Sequence, residues 1–347
     1  MNKLLQKTKN LGHIIFLITL ISIFPPPEKR GLFAADKTLT VYSARNEQLI
    51  KPVFDAYEKE SGIKIRYLTD QAPALLQKLM AEGKRSKADI FLTVDAGNLW
   101  QAGQENLLKP IKSKILDAAI PSHLRDPDGL WFGISMRART IAYSTKRVKP
   151  EQLSSYEALG DKVWQKRLCL RTSKKVYNQS LVAMLISQYG EKKTKSIVSS
   201  WVNNLAAPVF ANDTAVLEAI EAGRCDLGVV NSYYYARLLQ KNPDLPVALF
   251  WPSKAEGGTH VNVSGAGVLK HAPHPELAQQ FLEWLASDKA QALFAEVNQE
   301  FPVNPSVKSS AAIVKDWGKF DQAPFNLNGA GRYQTQAIKL MDNAGYR

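Results

Sequence analysis

The chain has little of the chemistry that most exported enzymes rely on. Its 347 residues include two cysteines and five histidines. Cys169 and Cys225 have no partners at zinc-ligand spacing, which argues against a structural zinc site. In an exported chain they permit one disulfide. His13 sits in the N-terminal apolar segment. His123, His260, His271 and His274 fall in loop-like contexts without a serine or cysteine nucleophile motif. A Gly-x-Ser-x-Gly elbow, a His-Glu-x-x-His helix and a P-loop are all missing. No repeat or low-complexity tract is present.

Long apolar runs are missing too. The longest, Ile14 to Phe24, is broken only by Thr19 and Ser22 and follows Lys3, Lys7 and Lys9. It matches the core of a signal peptide and is too short to span a bilayer comfortably. The small-residue site at Ala34-Ala35 puts the mature start near Asp36, so residues 1–35 are read as a signal peptide. The alternative is retention of this segment as a membrane anchor. Both readings imply export to the periplasm. No cysteine follows the run, so the chain is not a lipoprotein.

Acidic residues are in deficit. Lys and Arg number 45 against 32 Asp and Glu, a formal charge of +13, and about +9 remains without residues 1–35. These charges are scattered, with no aromatic-interleaved basic run, so nucleic acid is not an expected partner. An anionic ligand or membrane surface suits the balance better.

What is present is a regular alternation of strands and helices. The length predicts two domains. Buried-strand patterns at 39–42, 63–67 and 88–94 alternate with helical patterns at 47–61, 74–82 and 96–102. After a long extended stretch at 131–143 comes a second block. It has strands at 168–171, 208–212 and 226–231, and helices at 179–189, 215–223 and from Tyr233. A further extended, Gly-rich stretch covers 262–269, and helices at 274–286 and 288–297 follow. Such alternation predicts βαβ units and a largely parallel sheet. If both extended stretches cross between lobes, the fold is two α/β lobes hinged on two strands. The division is 36–136 with 264–305 for one lobe, and 137–263 with 306–347 for the other.

The most distinctive stretch is Leu227-Gly-Val-Val-Asn-Ser-Tyr-Tyr-Tyr-Ala-Arg-Leu-Leu239. A buried strand runs into Asn231-Ser232 and a helix takes over with three tyrosines in its first turn. Ligands of open α/β sheets bind beyond the carboxyl ends of strands, where the next helix begins. The positive end of that helix favours anionic phenolates, and several tyrosinates suit a hard trivalent cation such as ferric iron. Half-buried packing, or a stacking platform for a planar ligand, would use the same residues.

Together, Val41-Tyr-Ser-Ala-Arg-Asn46, Ala88-Asp-Ile-Phe-Leu-Thr-Val-Asp95, Arg137-Ala-Arg-Thr-Ile-Ala-Tyr143, Asn231-Ser-Tyr-Tyr-Tyr235 and Val263-Ser-Gly-Ala-Gly-Val-Leu269 resemble the ferric-iron-binding proteins of periplasmic ABC importers. The resemblance covers nearly the whole mature chain. It implies an α/β, two-lobed periplasmic-binding-protein fold of type II, with two strand crossovers as the hinge. It implies Fe³⁺ as cargo and Tyr233, Tyr234 and Tyr143 as ligands. Tyr235 is expected to point away, since three successive side chains on one helical turn cannot converge. Where other members carry a histidine, or histidine and tyrosine, after the first strand, this chain has Asn46 and Glu47. A glutamate used by some members falls on Val94. Glu47 is a possible oxygen ligand, and carbonate or another synergistic anion would complete the shell. Arg45, Arg137 and Arg139, with Ser173, Asn212 and Asn231, are the candidates to hold that anion. The implied partners are an ABC permease and its ATPase subunit, with the chain itself a monomer and no catalytic role. A binding protein for thiamine, a phosphonate or a polyamine is the alternative.

Overall fold

The computed structural model of the protein describes residues 37–309 and 311–347. The apolar segment and the cleavage site at Ala34-Ala35 lie outside the described residues.

Strand β1 (Thr38–Ser43) leads into the helix Glu47–Ser61 and returns in parallel as β2 (Lys64–Thr69). The helix buries Ile50, Val53, Phe54 and Tyr57 at helical spacing. It ends where Gly62 turns left-handed at φ 70° and its N–H bonds Glu58 O. The helix Ala72–Glu82 carries the chain to β3 (Ile90–Thr93), on the other side of β1 and again parallel.

Two long strands follow different rules. β4 (Phe132–Ser144) and β8 (His260–Val268) run antiparallel to each other, and every residue in both is buried. The far part of β8 pairs with β3, and the far part of β4 pairs with β6 (Leu227–Asn231) and β7 (Val247–Phe250). Beyond β6 lies the short parallel strand β5 (Leu168–Cys169). The order is β2-β1-β3-β8-β4-β6-β5, with β7 also on β4. β4 and β8 thus link two groups of parallel strands, each of which feeds helices.

Five sequence expectations change. The sheet is mixed where a largely parallel one was expected, because β4 and β8 pair antiparallel with each other and with β3, β6 and β7. The strand expected at 208–212 is an extended segment held by one bridge, Arg171 to Phe210, because β5 itself closes after two residues. The helix expected at 179–189 begins at Val176 and runs to Asn203, with a kink where Gly190 takes φ 77°. β7 and the helices Lys114–Ala119, Ala312–Asp316, Asn328–Arg332 and Gln334–Asn343 were not anticipated. His260, expected in a loop, is the buried first residue of β8.

Asn328–Arg332 packs between the helices Ala96–Gln104 and Val176–Asn203. Gly331 permits that approach, since a Cβ there would lie 2.6 Å from Trp100. Cys169 and Cys225 are joined in a disulfide with Cα atoms 5.9 Å apart, tying β5 to the entrance of β6. Among the described residues, no helix is long and apolar enough to cross a membrane.

Candidate metal centre

The carboxyl ends of the parallel strands open onto one cleft of about 260 Å³. β1 contributes Ala44, Arg45 and Asn46, β2 contributes Gln71, and β3 contributes Val94. Across from them stand Lys175 and Tyr177 from the helix after β5, and Tyr233, Tyr234 and Arg237 from the helix after β6. Arg137 of β4 and Glu300 complete the wall. Convergence of strand ends is the general reason α/β sheets bind ligands at this edge.

Three tyrosines meet in the cleft. Tyr233 is buried and its ring packs on Tyr234, with centroids 4.5 Å apart. The Asn231 side-chain amide donates to the Tyr233 hydroxyl at 3.2 Å. The Arg237 guanidinium lies 5.0 Å above the Tyr233 ring. Burial, then the neighbouring phenols Tyr177 and Tyr234, push the Tyr233 hydroxyl well above the usual range. Tyr177 lies between two cations, with Arg137 5.2 Å and Arg171 5.3 Å from its ring. Burial raises the Tyr177 phenol and Arg137 opposes that rise. Tyr234 is half-buried and faces Arg171; burial works against the charge on Arg171, which Asp213 and Tyr234 sustain.

The expected site residues divide sharply. Tyr233, Tyr234, Arg45 and Arg137 line the cleft, but Tyr143 does not. It pairs with Leu227 at the amino end of β6, whereas Tyr233 follows Asn231 at the carboxyl end. Four residues of strand, roughly 13 Å, separate it from the Arg139–Asn231 level. Its charged neighbour there is Glu151. Even parity with Arg137 and Arg139 holds along the strand, but distance removes Tyr143 from the site. Tyr235 turns away and donates to Val247 O at 3.0 Å.

Arg139 is taken out of the anion set by its own bonds. It donates twice to Asn178 Oδ1 and once each to Asp213 Oδ2, Asn231 Oδ1 and Val229 O. Those five bonds use every N–H that a guanidinium has. Arg45 is paired with Glu300 at 2.8 Å and also bonds Ser264. Arg137 donates Nη2 to Val94 O and stands 3.7 Å from Asp95, while its buried Nη1 has no hydrogen-bond partner among the described residues.

Glu47 is exposed and accepts from the Tyr67 hydroxyl at 2.7 Å, outside the cleft lining. Asn212 is exposed and caps the helix Asp213–Glu221 through Ala215 N. Ser173 lines a separate pocket of about 660 Å³ with Ile338 and Asp342. Asn231 is not an open donor: it holds the Tyr233 hydroxyl and accepts from Arg139. These residues satisfy local backbone or side-chain needs, which sequence position alone does not reveal.

Tyr177 was missed because the helix after β5 was expected to start at Gln179, leaving Tyr177 in a loop. A usable signal existed. β5 and β6 are parallel neighbours, so a tyrosine in the first turn after either strand faces the same edge.

Chemically the cleft offers phenol oxygens beside guanidinium and ammonium groups. Among the described residues, no cluster of three or more His, Cys, Asp or Glu side chains is placed to hold a metal. The phenols of Tyr177, Tyr233 and Tyr234 in the cleft lining are a donor set suited to hard cations.

Comparison with known proteins agrees with this architecture. Residues 53–321 match the family model described as bacterial extracellular solute-binding protein. Iron uptake protein A2 of Synechocystis sp. is 40% identical, over 99% of both chains. The structure described as Trichodesmium FutA (IdiA) in complex with iron and citrate ligands superposes with a TM-score of 0.85 at 40% identity, covering 89% of this chain and 100% of that one. The apo ferric ion-binding protein A of Pasteurella haemolytica gives a TM-score of 0.82 at 35% identity, covering 89% and 98%. The fold is the type II periplasmic-binding-protein fold that these relatives share. The chain belongs to the bacterial extracellular solute-binding protein family, in the group formed by the ferric-iron-binding proteins of ABC importers.

Proposed function

We propose that the protein captures ferric iron through the phenolates of Tyr177, Tyr233 and Tyr234 and delivers it, outside the cytoplasm, to an ABC importer. The observation that carries this reading is the convergence of three tyrosines from two neighbouring strand-to-helix switches in a cleft bordered by cations. The names of the relatives, iron uptake and ferric-binding proteins, support the same cargo.

In this reading the chain has two lobes, residues 36–136 with 264–305 and residues 137–263 with 306–347. The tyrosines belong to the second lobe. The first brings Arg45, Asn46 and Gln71 across the cleft. Fe³⁺ with three phenolates is neutral, so a bound carbonate or similar anion makes the centre anionic. The free Nη1 of Arg137 is the donor best placed for that anion. Binding must strip protons from phenols that burial has made harder to ionise. Affinity therefore falls as pH falls, by up to about three decades per pH unit if all three protons leave. The loaded monomer docks on the permease in the periplasm, and a separate ATPase subunit drives import. No catalytic step is required of this chain.

The test is spectroscopic. Loading with ferric nitrilotriacetate should produce a red to purple phenolate-to-iron charge-transfer band with one iron per chain by metal analysis. A colourless protein would end the proposal. Calorimetry of the apo-protein against thiamine, a phosphonate or a polyamine would then identify the alternative cargo.

A further inference from the structure

β4 and β8 carry three successive cross-strand pairs of buried polar residues: Ser135 with Ser264, Arg137 with Asn262, and Arg139 with His260. Buried polar side chains in the middle of a sheet are costly unless every group is bonded, so each pair must grip something. The first pair grips the β1 side only. Ser135 donates to Glu300 and Ser264 accepts from Arg45. The third pair grips the β6 side only. Arg139 bonds Asn178, Asp213, Asn231 and Val229, and His260 Nε2 lies 3.0 Å from Ser180 Oγ.

The middle pair differs. Arg137 reaches Val94 O and Asp95 on the β3 side. Asn262 Oδ1 accepts from Ala96 N at 3.1 Å, at the start of the helix Ala96–Gln104. Its Nδ2 donates to Asp95 Oδ2 at 2.8 Å and to Ser180 Oγ at 2.6 Å. Ser180 lies one turn beyond Tyr177 on the same helix. A single amide group therefore spends one hydrogen on each side of the crossing strands. No other side chain in the three pairs does so.

We propose that Asn262, through Ser180, is a latch across the hinge: a positioning residue that holds the helix of Tyr177 against the helix following β3 and so keeps the cleft closed. The proposal rests on the two-lobed reading above, because opening the lobes must stretch the chain of bonds that runs from Asp95 and Ala96 through Asn262 to Ser180. Asn262 touches neither cargo nor tyrosine, and acts by setting where Tyr177 stands.

Ser180→Ala removes the bond from Asn262 together with the Ser180–His260 contact, which lies on the β6 side alone, and leaves the contacts of Asn262 to Asp95 and Ala96. Protein loaded with ferric nitrilotriacetate is mixed with excess chelator, and loss of the charge-transfer band gives the release rate. Release from Ser180→Ala should be about five- to tenfold faster, the scale of one buried hydrogen bond. Its melting temperature should stay within about 2 °C of wild type. Ser180→Thr, which keeps the hydroxyl, should release within twofold of wild type. Asn262→Ala combined with Ser180→Ala should release no faster than Asn262→Ala alone, because both remove one shared bond. An unchanged rate in Ser180→Ala, equal acceleration in Ser180→Thr, or multiplying effects in the double variant would each overturn the latch. If Ser180→Ala unfolds, the comparison of Asn262→Ala with wild type carries the same test.

A second arm needs no iron. Small-angle scattering of the apo-protein should give a larger radius of gyration for Ser180→Ala than for wild type, and equal radii would overturn the proposal. A wild-type protein that takes up no iron therefore sinks the ferric reading without touching the latch.

Discussion

Two groups of tyrosines occupy opposite ends of the same strands. At the carboxyl end of β6, Tyr177, Tyr233 and Tyr234 crowd together among Arg137, Arg171 and Arg237. Towards the other end, Tyr143 and Tyr235 sit in apolar surroundings, with the Tyr235 hydroxyl settled on Val247 O. Burial is the leading cause that raises the phenols of Tyr177 and Tyr233 in the first group and of Tyr143 and Tyr235 in the second. They differ in company. The cleft group has several phenols and several cations within reach of one another, which is the arrangement the proposed ferric site rests on. The other group has one acidic neighbour, Glu151, and no guanidinium set around it. Tyrosine content does not make a metal site; the meeting of strand ends and helix starts does.

The largest break in this comparison is expected from Tyr233→Phe with Tyr234→Phe. Iron affinity should fall on the order of a thousandfold or more, with loss of the charge-transfer band. A double variant that stays coloured would shift the site elsewhere.

Next comes a contrast between two arginines of β4. Replacing Arg139 with Leu strands Asn178 and part of Asp213, and unfolding should become easier by about 3–5 kcal/mol, read by denaturant titration. Replacing Arg137 with Leu should weaken iron binding more than it lowers stability, because its Nη1 has no protein partner. Equal stability losses at both positions would erase that distinction.

Tyr177→Phe should lower iron affinity by about a hundredfold and shift the absorption maximum, since one of three phenolates leaves the shell. An unaltered spectrum would return Tyr177 to packing.

A smaller effect concerns the buried pair of ionisable groups under the cleft. Burial, reinforced by Arg139 and Arg137, pushes His260 down to about 3 from an ordinary 6.5. The unfolded chain therefore binds a proton that the native state refuses, and stability falls as pH drops from 6.5 towards 3. Burial pushes Asp95 up to about 6, against the pull of Arg137. Here the native state holds the proton more tightly, so stability rises as pH drops from 6 to about 4. The two trends offset one another between pH 6 and 4. In the iron-free protein, His260→Gln should gain on wild type by about 1.4 kcal/mol per pH unit below 6.5. Asp95→Asn should lose ground over pH 6 to 4. Parallel stability curves for all three proteins would contradict the assignment.

The smallest effect should be at Tyr143. Tyr143→Phe should change iron affinity by less than about twofold, because the residue sits roughly 13 Å along the strand from the Arg139–Asn231 level. A large loss there would reinstate it.

Much of the fold was legible because periodicity and caps act locally. The helix 47–61 could be bounded by its apolar face and by Gly62, and the switch at Asn231-Ser232 by the end of an apolar run. Residues whose role depends on a partner were harder to read. Arg137 and Arg139 look alike as alternating residues of one strand, yet Asp213, Asn178 and Asn231 reach only Arg139. The 208–212 segment has strand composition, but its neighbour β5 is too short to pair with it. The C-terminal helices are short, and they pack against surfaces assembled from distant parts of the chain.

The sequence by itself determined the alternating α/β plan, the two long extended strands and the tyrosine pair at the start of a helix. Each follows from local pattern or from residue type. Only the tertiary structure decided which third tyrosine joins the pair. The resemblance pointed to Tyr143, while the strand and helix pattern left Tyr177 in a loop. Tyr177 enters because β5 lies parallel beside β6, so both strands deliver their helices to one edge, while Tyr143 lies at the end where β6 begins.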